Sequence, residues 1–246
     1  MSDARVVQIK LSLFGGANLS GIDQQAADTL LSQPKGVGLI AYLAIVGASG
    51  VWVRRDTLAA LLWPELDQGH ARAALRKGVL ALRSALGAET LLVRGDEDLR
   101  LDDGALRCDV VDFNRFLERG SYIPALELYR GDLLPGFHVP GCVELDRWLD
   151  AERTEARERA SAAAWAVAQT FEGQSAKTDA SLWARRAVRY SWDDERTLRR
   201  TLGLLERVGD RAGALRLYEE FARRLKTDFD AEPSAETLEV VKQLRK

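Results

Sequence analysis

The chain has 246 residues, which is long for one domain and favours two. Hydrophobic residues make up 46% and charged residues 29%, a composition typical of folded globular domains and unlike that of disordered chains. The 35 basic and 37 acidic side chains give a formal net charge of −2, which excludes a globally basic protein, so any nucleic-acid-binding surface must be local.

Cysteine content and hydropathy indicate the compartment in which the protein works. The two cysteines, Cys108 and Cys142, lie far apart without metal-ligand spacing, which predicts buried free thiols in a reducing compartment. The N-terminus has no apolar signal core, and the longest apolar runs are too short to cross a bilayer. We therefore expect a cytoplasmic protein that uses no membrane, no metal and no cofactor.

Short strands and one buried helix are predicted at the start of the chain. Residues 6–14 alternate between apolar and polar in their second half, as in a half-buried strand, and residues 18–22 are expected to return as a second strand. Residues 30–34 are predicted to add another short pairing. The segment 34–46 opens with a proline, which suits a first helical turn, and is apolar on nearly every side, which predicts a buried helix.

The next elements follow an order that is known from DNA-binding domains. We expect a brief strand at 51–53, a short helix at 55–63 that Pro64 ends, and a longer helix that starts from an Asp67 cap and ends at Gly87. Residues 91–101 place two short apolar runs around a turn and predict a hairpin. This order is typical of a winged helix-turn-helix with an N-terminal sheet, in which the hairpin is the wing.

The longer helix, residues 67–86, is called the basic helix here because its two faces differ sharply. At about 100° per residue, one face carries apolar and small side chains: Ala71, Leu75, Gly78, Val79, Leu82 and Leu86. The other face is basic: His70, Arg72, Ala73, Arg76, Lys77, Leu80, Arg83 and Ser84. No acidic residue lies between Gln68 and Leu86. Such a helix suits the major groove, and the alternative is a surface helix whose basic face is only solvated.

From about Asp109 onward the pattern is helical throughout. The predicted helices span 110–118, 123–129, 143–171, 176–190, 194–208, 211–227 and 234–245. The pairs Leu182–Trp183 and Leu217–Tyr218 lie 35 residues apart, and each is followed by an alanine four residues after its aromatic. A period near 34 with small and aromatic residues indicates tetratricopeptide-like repeats, and the alternative is a generic helical bundle.

Several motifs occur in a fixed order along most of the chain. They are RDTL (55–58) with LLWP (61–64), ARAALR (71–76) with LRSALG (82–87), LRCDV (106–110) with Phe113, YRGDLLPGF (129–137), WLDAER (148–153), GDR (209–211) with AL (214–215), and EPS (232–234) with ET (236–237). Together they resemble the bacterial antibiotic regulatory proteins, a family of transcriptional activators. The resemblance implies an OmpR-type winged-helix DNA-binding domain at 1–107 and a bacterial transcriptional activation domain of tetratricopeptide-like helical repeats at 108–246. The expected fold is mainly α, with an α+β first domain and an all-α second domain.

The resemblance and the helical wheel together assign candidate functional residues. Contacts to double-stranded DNA are expected from Arg72, Ala73, Arg76, Lys77, Leu80, Arg83 and Ser84 of the basic helix and from Arg94 and Arg100 of the wing. Residues Glu65, Leu66 and Asp67 correspond to the loop that contacts RNA polymerase in the family, although Asp67 is also explained as a helix cap. The balanced charge of residues 1–107 further leads us to expect modest DNA affinity per protomer, helped by a homodimer or by repeated DNA sites, which many members of the family bind. The helical repeats are expected to be able to hold a regulatory protein or a small ligand, and the sequence identifies neither.

Some residues do not fit a DNA-binding function well and leave a second function possible. Leu80 lies at the centre of the basic face, where it suits a thymine methyl group or a partner protein equally well. The wing tip, residues 96–98, places three acids opposite the phosphate backbone, and residues 1–107 contain 12 basic and 12 acidic side chains. The wing arginines are equally well explained as exposed charges without a contact. The alternative function is therefore a protein–protein adaptor that has lost DNA affinity and uses its repeats.

An enzyme is the least favoured class. The two histidines, His70 and His138, have no metal-ligand or nucleophile partner at a useful spacing, and the sequence has no phosphate-binding GxxxxGK[ST] motif. The acidic pairs at 102–103 and 193–194 are better explained as a loop end and a helix start than as catalytic carboxylates.

Overall fold

The structure is a computed structural model and describes residues 8–246. Its contacts divide the chain into two compact units, of which the first comprises Met1–Arg119 and Glu127–Thr154 and the second comprises Gly120–Leu126 and Glu155–Lys246. The first unit thus extends well beyond residue 107. The expected boundary between residues 107 and 108 does not coincide with this division, and it stays a prediction about the two sequence domains.

Two three-stranded sheets belong to the first unit. Their strands are β1 (Ile9–Ser12), β2 (Asn18–Ser20), β3 (Val53–Arg54), β4 (Leu91–Arg94), β5 (Asp98–Leu101) and β6 (Leu106–Cys108). In the first sheet β1 pairs antiparallel with β2 and parallel with β6, and in the second β5 lies between β3 and β4 in antiparallel register. The predicted first strand and the predicted wing hairpin are confirmed, apart from residues 6–7, which lie outside the described residues.

The predicted pairing at residues 30–34 is wrong, because this segment ends a helix, α1 (Gln24–Leu31). The carboxylate of Asp23 caps it by accepting a hydrogen bond from the backbone N–H of Ala26 at 3.0 Å. Ala27 and Leu30 are buried three residues apart, which is a helical spacing. The cap and this spacing outweigh the short apolar run on which the strand prediction rested.

Three more helices complete the winged-helix part of the first unit: α2 (Pro34–Val46), α3 (Arg55–Leu62) and α4 (Gln68–Leu86). All three confirm predicted helices. Helix α2 is its buried centre, since Leu39, Ile40 and Leu43 have no exposed surface. Within residues 8–246 no single helix is long and apolar enough to span a membrane; α1 and α2 together meet that length and composition, with a bend of 100° between them.

The remaining helices are α5 (Asp109–Glu118), α6 (Tyr122–Leu128), α7 (Val143–Gly173), α8 (Lys177–Tyr190), α9 (Glu195–Arg207), α10 (Arg211–Phe229) and α11 (Ala235–Leu244). They confirm the predicted helical half. In the second unit α9 contacts α8, α10 and α11, and its buried Leu198, Leu202 and Leu205 form a common core with Tyr218 and Phe221. The Trp183 and Tyr218 rings of the predicted repeat are both buried, so the repeated aromatics serve packing.

A carboxylate joins the start of α5 to the end of the first strand. Asp109 accepts hydrogen bonds from the backbone N–H groups of Leu13 at 2.9 Å and Phe14 at 3.1 Å. Burial of this carboxyl raises its pKa. The ring of Phe14 lies edge-on to Phe113 at 5.3 Å and to Tyr129 at 4.9 Å. Residues after 107 thus complete the packing of the N-terminal sheet.

Arg153 connects two of the motifs that carry the family resemblance. Its guanidinium donates hydrogen bonds to the backbone carbonyls of Leu133 at 2.8 Å, Leu134 at 2.6 Å and Phe137 at 2.9 Å. Leu134 has φ +44°, a left-handed conformation that is uncommon for a non-glycine residue. The Arg153 side chain is only 15% exposed, so its five-donor fork satisfies carbonyls that have little access to water.

Candidate nucleic-acid interface

Helix α4 is the predicted basic helix, and both of its ends are specified by the sequence. At its start the carboxylate of Asp67 accepts a hydrogen bond from the backbone N–H of His70 at 3.1 Å. The same carboxylate meets the His70 ring nitrogen Nδ1 at 2.6 Å, and this contact lowers the pKa of Asp67. At its end Gly87 adopts φ +91°, which favours glycine.

The inner face of α4 holds the helix on the core. Its buried residues are Ala71, Leu75, Val79, Leu82 and Leu86, and full burial of each leucine stabilises the fold by about 1.5–3 kcal/mol. Gly78 allows a close approach, since a Cβ at this position would lie 3.3 Å from Leu39 Cδ2. The inner-face pattern of the helical wheel is thereby confirmed.

The outer face of α4 brings the predicted DNA-contacting residues of this helix onto one surface. Arg72, Arg76, Lys77, Leu80 and Ser84 are exposed, and Ala73 and Arg83 are half-buried. Leu80 is 61% exposed, which is high for a leucine. Within the described part of the chain, neither Arg76 nor Lys77 forms an ion pair. These two cations are therefore available to an external anion.

Arg72 differs from its neighbours because it has an internal partner. Its Nε and Nη2 atoms donate to the two carboxylate oxygens of Asp56 at 2.7 and 2.8 Å. The guanidinium holds the pKa of Asp56 below its usual range. Sequence reasoning missed Asp56, which lies in the first turn of α3 and whose pairing with α4 depends on how the two helices pack.

The wing arginines, Arg94 and Arg100, both contact other residues of the wing or of the segment before β3. The alternative that they are exposed charges without a contact is therefore wrong. Arg94 donates to Asp98 Oδ2 at 2.6 and 3.0 Å, and its guanidinium lies 4.8 Å from the ring centroid of Trp52. The guanidinium of Arg100 lies 5.0 Å from the same centroid, and its buried Nε has no hydrogen-bond partner among residues 8–246. Both arginines therefore help to hold the wing against the residue before β3.

The acidic tip of the wing faces basic residues of α3 and α4. The residues Arg55, Arg72, Leu75, Arg76, Asp96 and Glu97 line a cavity of about 430 Å³. The backbone N–H of Arg55 donates to the carbonyl of Glu97 at 2.7 Å, whereas the buried Nε of Arg55 has no hydrogen-bond partner in the described part of the chain. Sequence reasoning did not assign Arg55 to this surface, although Arg55 opens the RDTL motif at 55–58.

The acids of the loop before α4 also have internal partners. Glu65 pairs with Lys35 at 2.6 Å, and this ammonium holds the pKa of Glu65 below its usual range. Asp67 caps α4, as described above. Between them Leu66 is 39% exposed, so the predicted polymerase-contact loop presents one apolar side chain flanked by two paired carboxylates.

Residues outside this surface carry little reactive chemistry. Burial raises the pKa of the Cys108 thiol to about 12, and the Cys142 thiol donates to the carbonyl of Leu62 at 3.3 Å. In the described range no cluster of three or more His, Cys, Asp or Glu side chains is arranged to hold a metal ion.

Comparisons with known proteins agree with this architecture. Residues 118–245 match the model of the bacterial transcriptional activator domain. No curated protein sequence matches the chain. Among solved structures, EmbR of Mycobacterium tuberculosis, in complex with a low-affinity phosphopeptide, is similar with a TM-score of 0.62 and 17% sequence identity.

The likeness to EmbR covers 98% of this chain and 65% of the EmbR chain, so this chain spans about two thirds of that relative's length. At 17% identity it shows the fold alone, namely an N-terminal winged helix-turn-helix followed by a helical repeat region. The domain match covers more than half of the chain and lies in a family of transcriptional regulators rather than a class of enzymes. The chain therefore belongs to the bacterial transcriptional activators that carry this domain.

Proposed function

We propose that this activator binds DNA sequence-specifically by placing α4 in the major groove. The observation that carries the proposal is the outward basic face of α4, which has no acidic residue and is held in place by five buried side chains. A helix of this kind docks its apolar side on its own core and directs its other side to phosphates and base edges.

The residues of α4 divide into two proposed roles. Arg76 and Lys77, which form no ion pair with any described residue, are proposed to contact guanine edges or phosphates. Leu80 is proposed to lie against a thymine methyl group, with Ala73 and Ser84 at the groove walls. Arg72 and Arg83, nearer the edge of the face, are proposed to contact phosphates. A bidentate base contact gives about 1–3 kcal/mol of discrimination between sequences.

The other predicted partners are proposals of the same kind. Arg94 and Arg100 of the wing are proposed to lie along the DNA backbone, and Glu65, Leu66 and Asp67 are proposed to contact RNA polymerase. The neutral charge balance of residues 1–107 supports a homodimer on repeated DNA sites, because two protomers double the number of phosphate contacts. The helical repeats are proposed to bind a regulatory protein or ligand.

The family also supports proposals about reaction class and location. No catalytic activity is proposed for this chain, because its family is one of regulators. A transcriptional activator works on the chromosome, so we propose that it acts in the bacterial cytoplasm and joins the nucleoid when it is bound to DNA.

Selection of bound fragments from a random duplex pool, followed by gel-shift titration at fixed salt, tests this proposal. Arg76→Ala is expected to weaken binding to the selected site by more than about tenfold. Lys10→Ala is the matched control, since Lys10 is an exposed basic residue on β1, away from α4, and its loss is expected to leave affinity unchanged. Equal affinity of wild type and Arg76→Ala would remove α4 from the reading role.

The adaptor function is a second candidate, and two observations favour it. Leu80 is 61% exposed at the centre of the basic face, and the acids of the wing tip line the cavity beside Arg72 and Arg76. Retention on duplex DNA separates the two functions, because an activator that uses α4 elutes with rising salt whereas an adaptor passes through without retention.

A further inference from the structure

A small cavity in the second unit lies between α8 and α10 and is not used by the proposed DNA contact. Its volume is about 130 Å³. Val188, Leu217 and Phe221 give it an apolar floor, and Trp192 forms one side. Its charged lining consists of Arg185, Arg189, Glu220 and Arg224. The cavity thus combines an apolar interior with a mostly basic rim.

One side of this rim is fixed by the fold. Arg185 donates to Asp210 Oδ2 at 2.6 Å and to the carbonyl of Gly213 at 3.3 Å. Asp210 itself caps α10 by accepting from the backbone N–H of Gly213 at 2.9 Å. Arg185 is therefore preorganised, and the paired carboxylate already balances its charge.

The other two arginines keep their charge available. Arg189 and Arg224 are exposed, and neither forms an ion pair with another residue that the structure describes. The guanidinium of Arg224 lies 4.3 Å from the ring centroid of Trp192, which stacks on Phe229 at 5.7 Å. Phe229 is 59% exposed. Arginine and aromatic side chains grouped around a pocket are the residue types that dominate protein interfaces.

The volume of the cavity and the charges at its mouth restrict the chemistry of a ligand that could bind there. A cavity of about 130 Å³ is smaller than the roughly 300–1,000 Å³ typical of small-molecule sites, and it suits a single apolar side chain. Arg189 and Arg224 at its mouth suit carboxylates on either side of that side chain, whereas Glu220 repels a carboxylate placed beside it. Duplex DNA would meet the arginines through its phosphates, but its thymine methyl groups lie inside the major groove and do not reach into the apolar floor.

We propose that this pocket binds an acidic peptide segment of a partner protein, which inserts one apolar side chain between α8 and α10. The inference rests on the proposal that the helical repeats bind a regulatory protein, and it names the chemistry of that protein. It is independent of DNA recognition by α4.

Fluorescence anisotropy with the full chain tests the proposal. The probe is a short labelled peptide with a central leucine flanked by glutamates, and saturable binding is expected at low salt. Arg189→Glu and Arg224→Glu are each expected to weaken it by about tenfold or more. Arg223→Glu changes the exposed neighbouring position on α10, which does not line the cavity. It is expected to change the peptide affinity by less than about twofold, because a charge at the edge of a binding site contributes little to affinity.

Several outcomes would overturn the proposal. These are the absence of saturable binding to the wild type, an equal loss in Arg223→Glu, and equal binding of a peptide with serine in place of the leucine. A loss of DNA affinity in Arg189→Glu and Arg224→Glu without peptide binding would assign the arginines to phosphate instead. Circular dichroism confirms folding of each variant. Arg76→Ala is expected to bind the peptide like wild type, so failure of DNA recognition and failure of this site are distinguishable.

Discussion

Arg72 and Asp56 form a two-point ion pair between the helix proposed to read DNA and the helix before it. Both nitrogen–oxygen distances are below 3 Å, at 2.7 and 2.8 Å. The pair fixes the direction of the Arg72 side chain and offsets its charge. Arg72 is therefore positioned before any DNA arrives, but it attracts phosphates less than Arg76 does.

Removing the Asp56 carboxylate separates the orienting effect of the ion pair on Arg72 from its effect on the Arg72 charge. Asp56→Asn is expected to raise affinity for non-specific duplex, because Arg72 no longer shares its charge with Asp56. The slope of log K against log salt is expected to steepen by at most about 0.9, the value for one full phosphate contact. The ratio of specific to non-specific affinity is expected to fall, because the Arg72 guanidinium loses its fixed direction. Gel-shift titration over a salt series measures both. Asp112→Asn, which frees Arg107 from a similar pair, is the control, and an unchanged slope in Asp56→Asn would contradict the prediction.

The acidic wing tip is expected to reduce DNA affinity. Asp96 and Glu97 line the cavity beside Arg55, Arg72 and Arg76, where they compete with phosphates for the same cations. Glu97→Gln is expected to raise affinity for duplex DNA by about threefold at low salt, and the gain is expected to shrink at high salt as screening increases. Glu118→Gln, an exposed acid outside the cavity, is the comparison. Lower affinity in Glu97→Gln would show that the tip supports the binding geometry.

Arg153 is expected to be a stability residue. Arg153→Ala removes this donor from the carbonyls of Leu133 and Phe137, whereas the carbonyl of Leu134 keeps the backbone N–H of Phe137 at 3.1 Å. A loss of about 3 kcal/mol in the free energy of unfolding is expected, since each unsatisfied buried group costs about 1–3 kcal/mol. Arg153→Lys is expected to recover only part of it, because an ammonium lacks the planar fork. Urea unfolding measures the loss. Arg147→Ala removes a 71%-exposed arginine on the same helix and is expected to cost less than about 1 kcal/mol, so equal losses would contradict the assignment.

The thiol of Cys108 is expected to be unreactive in the folded protein. With the pKa raised to about 12, its thiolate fraction at neutral pH is lower than that of an ordinary cysteine by roughly three orders of magnitude. Alkylation at pH 8 followed by peptide mass spectrometry is expected to modify Cys108 only after denaturant is added. Because the thiolate is the reactive form and the pKa is about 12, the rate for the folded protein is expected to keep rising with pH beyond about pH 9, where an ordinary cysteine levels off. Rapid modification of the native protein would contradict this.

Periodic features were predictable from the sequence, whereas contacts between distant residues were not. The two faces of α4 and its Asp67 cap follow from spacing within one helix. The strand predicted at 30–34 is wrong because Asp23 caps α1, and the helix that begins there continues to Leu31. The apolar pattern at residues 30–34 contains no sign of this helix, because the capping acid, Asp23, lies seven residues before it.

The missed residues of the candidate site share a different cause. Asp56, Trp52 and Arg55 contact the basic helix or the wing only after α3, β3 and the hairpin have packed together. Nothing in their spacing indicates these pairings. Arg153 belongs to a motif that carries the resemblance to the family. Its hydrogen bonds to residues 133–137 depend on a left-handed turn at Leu134, which no residue pattern in the sequence predicts.

The contacts of Asp109 and Arg153 also set an order of events during protein synthesis. The N-terminal strand obtains its partners at residues 106–109, and the loop at 133–137 obtains its donor at residue 153. A nascent chain released from the ribosome tunnel only to residue 107 lacks Asp109, Arg153 and Cys108, which ends the paired strand β6. The DNA-facing half of the protein therefore reaches its final fold only when translation has passed well into the helical half, so a prematurely terminated chain ending near residue 107 is not expected to mature into a competent DNA binder.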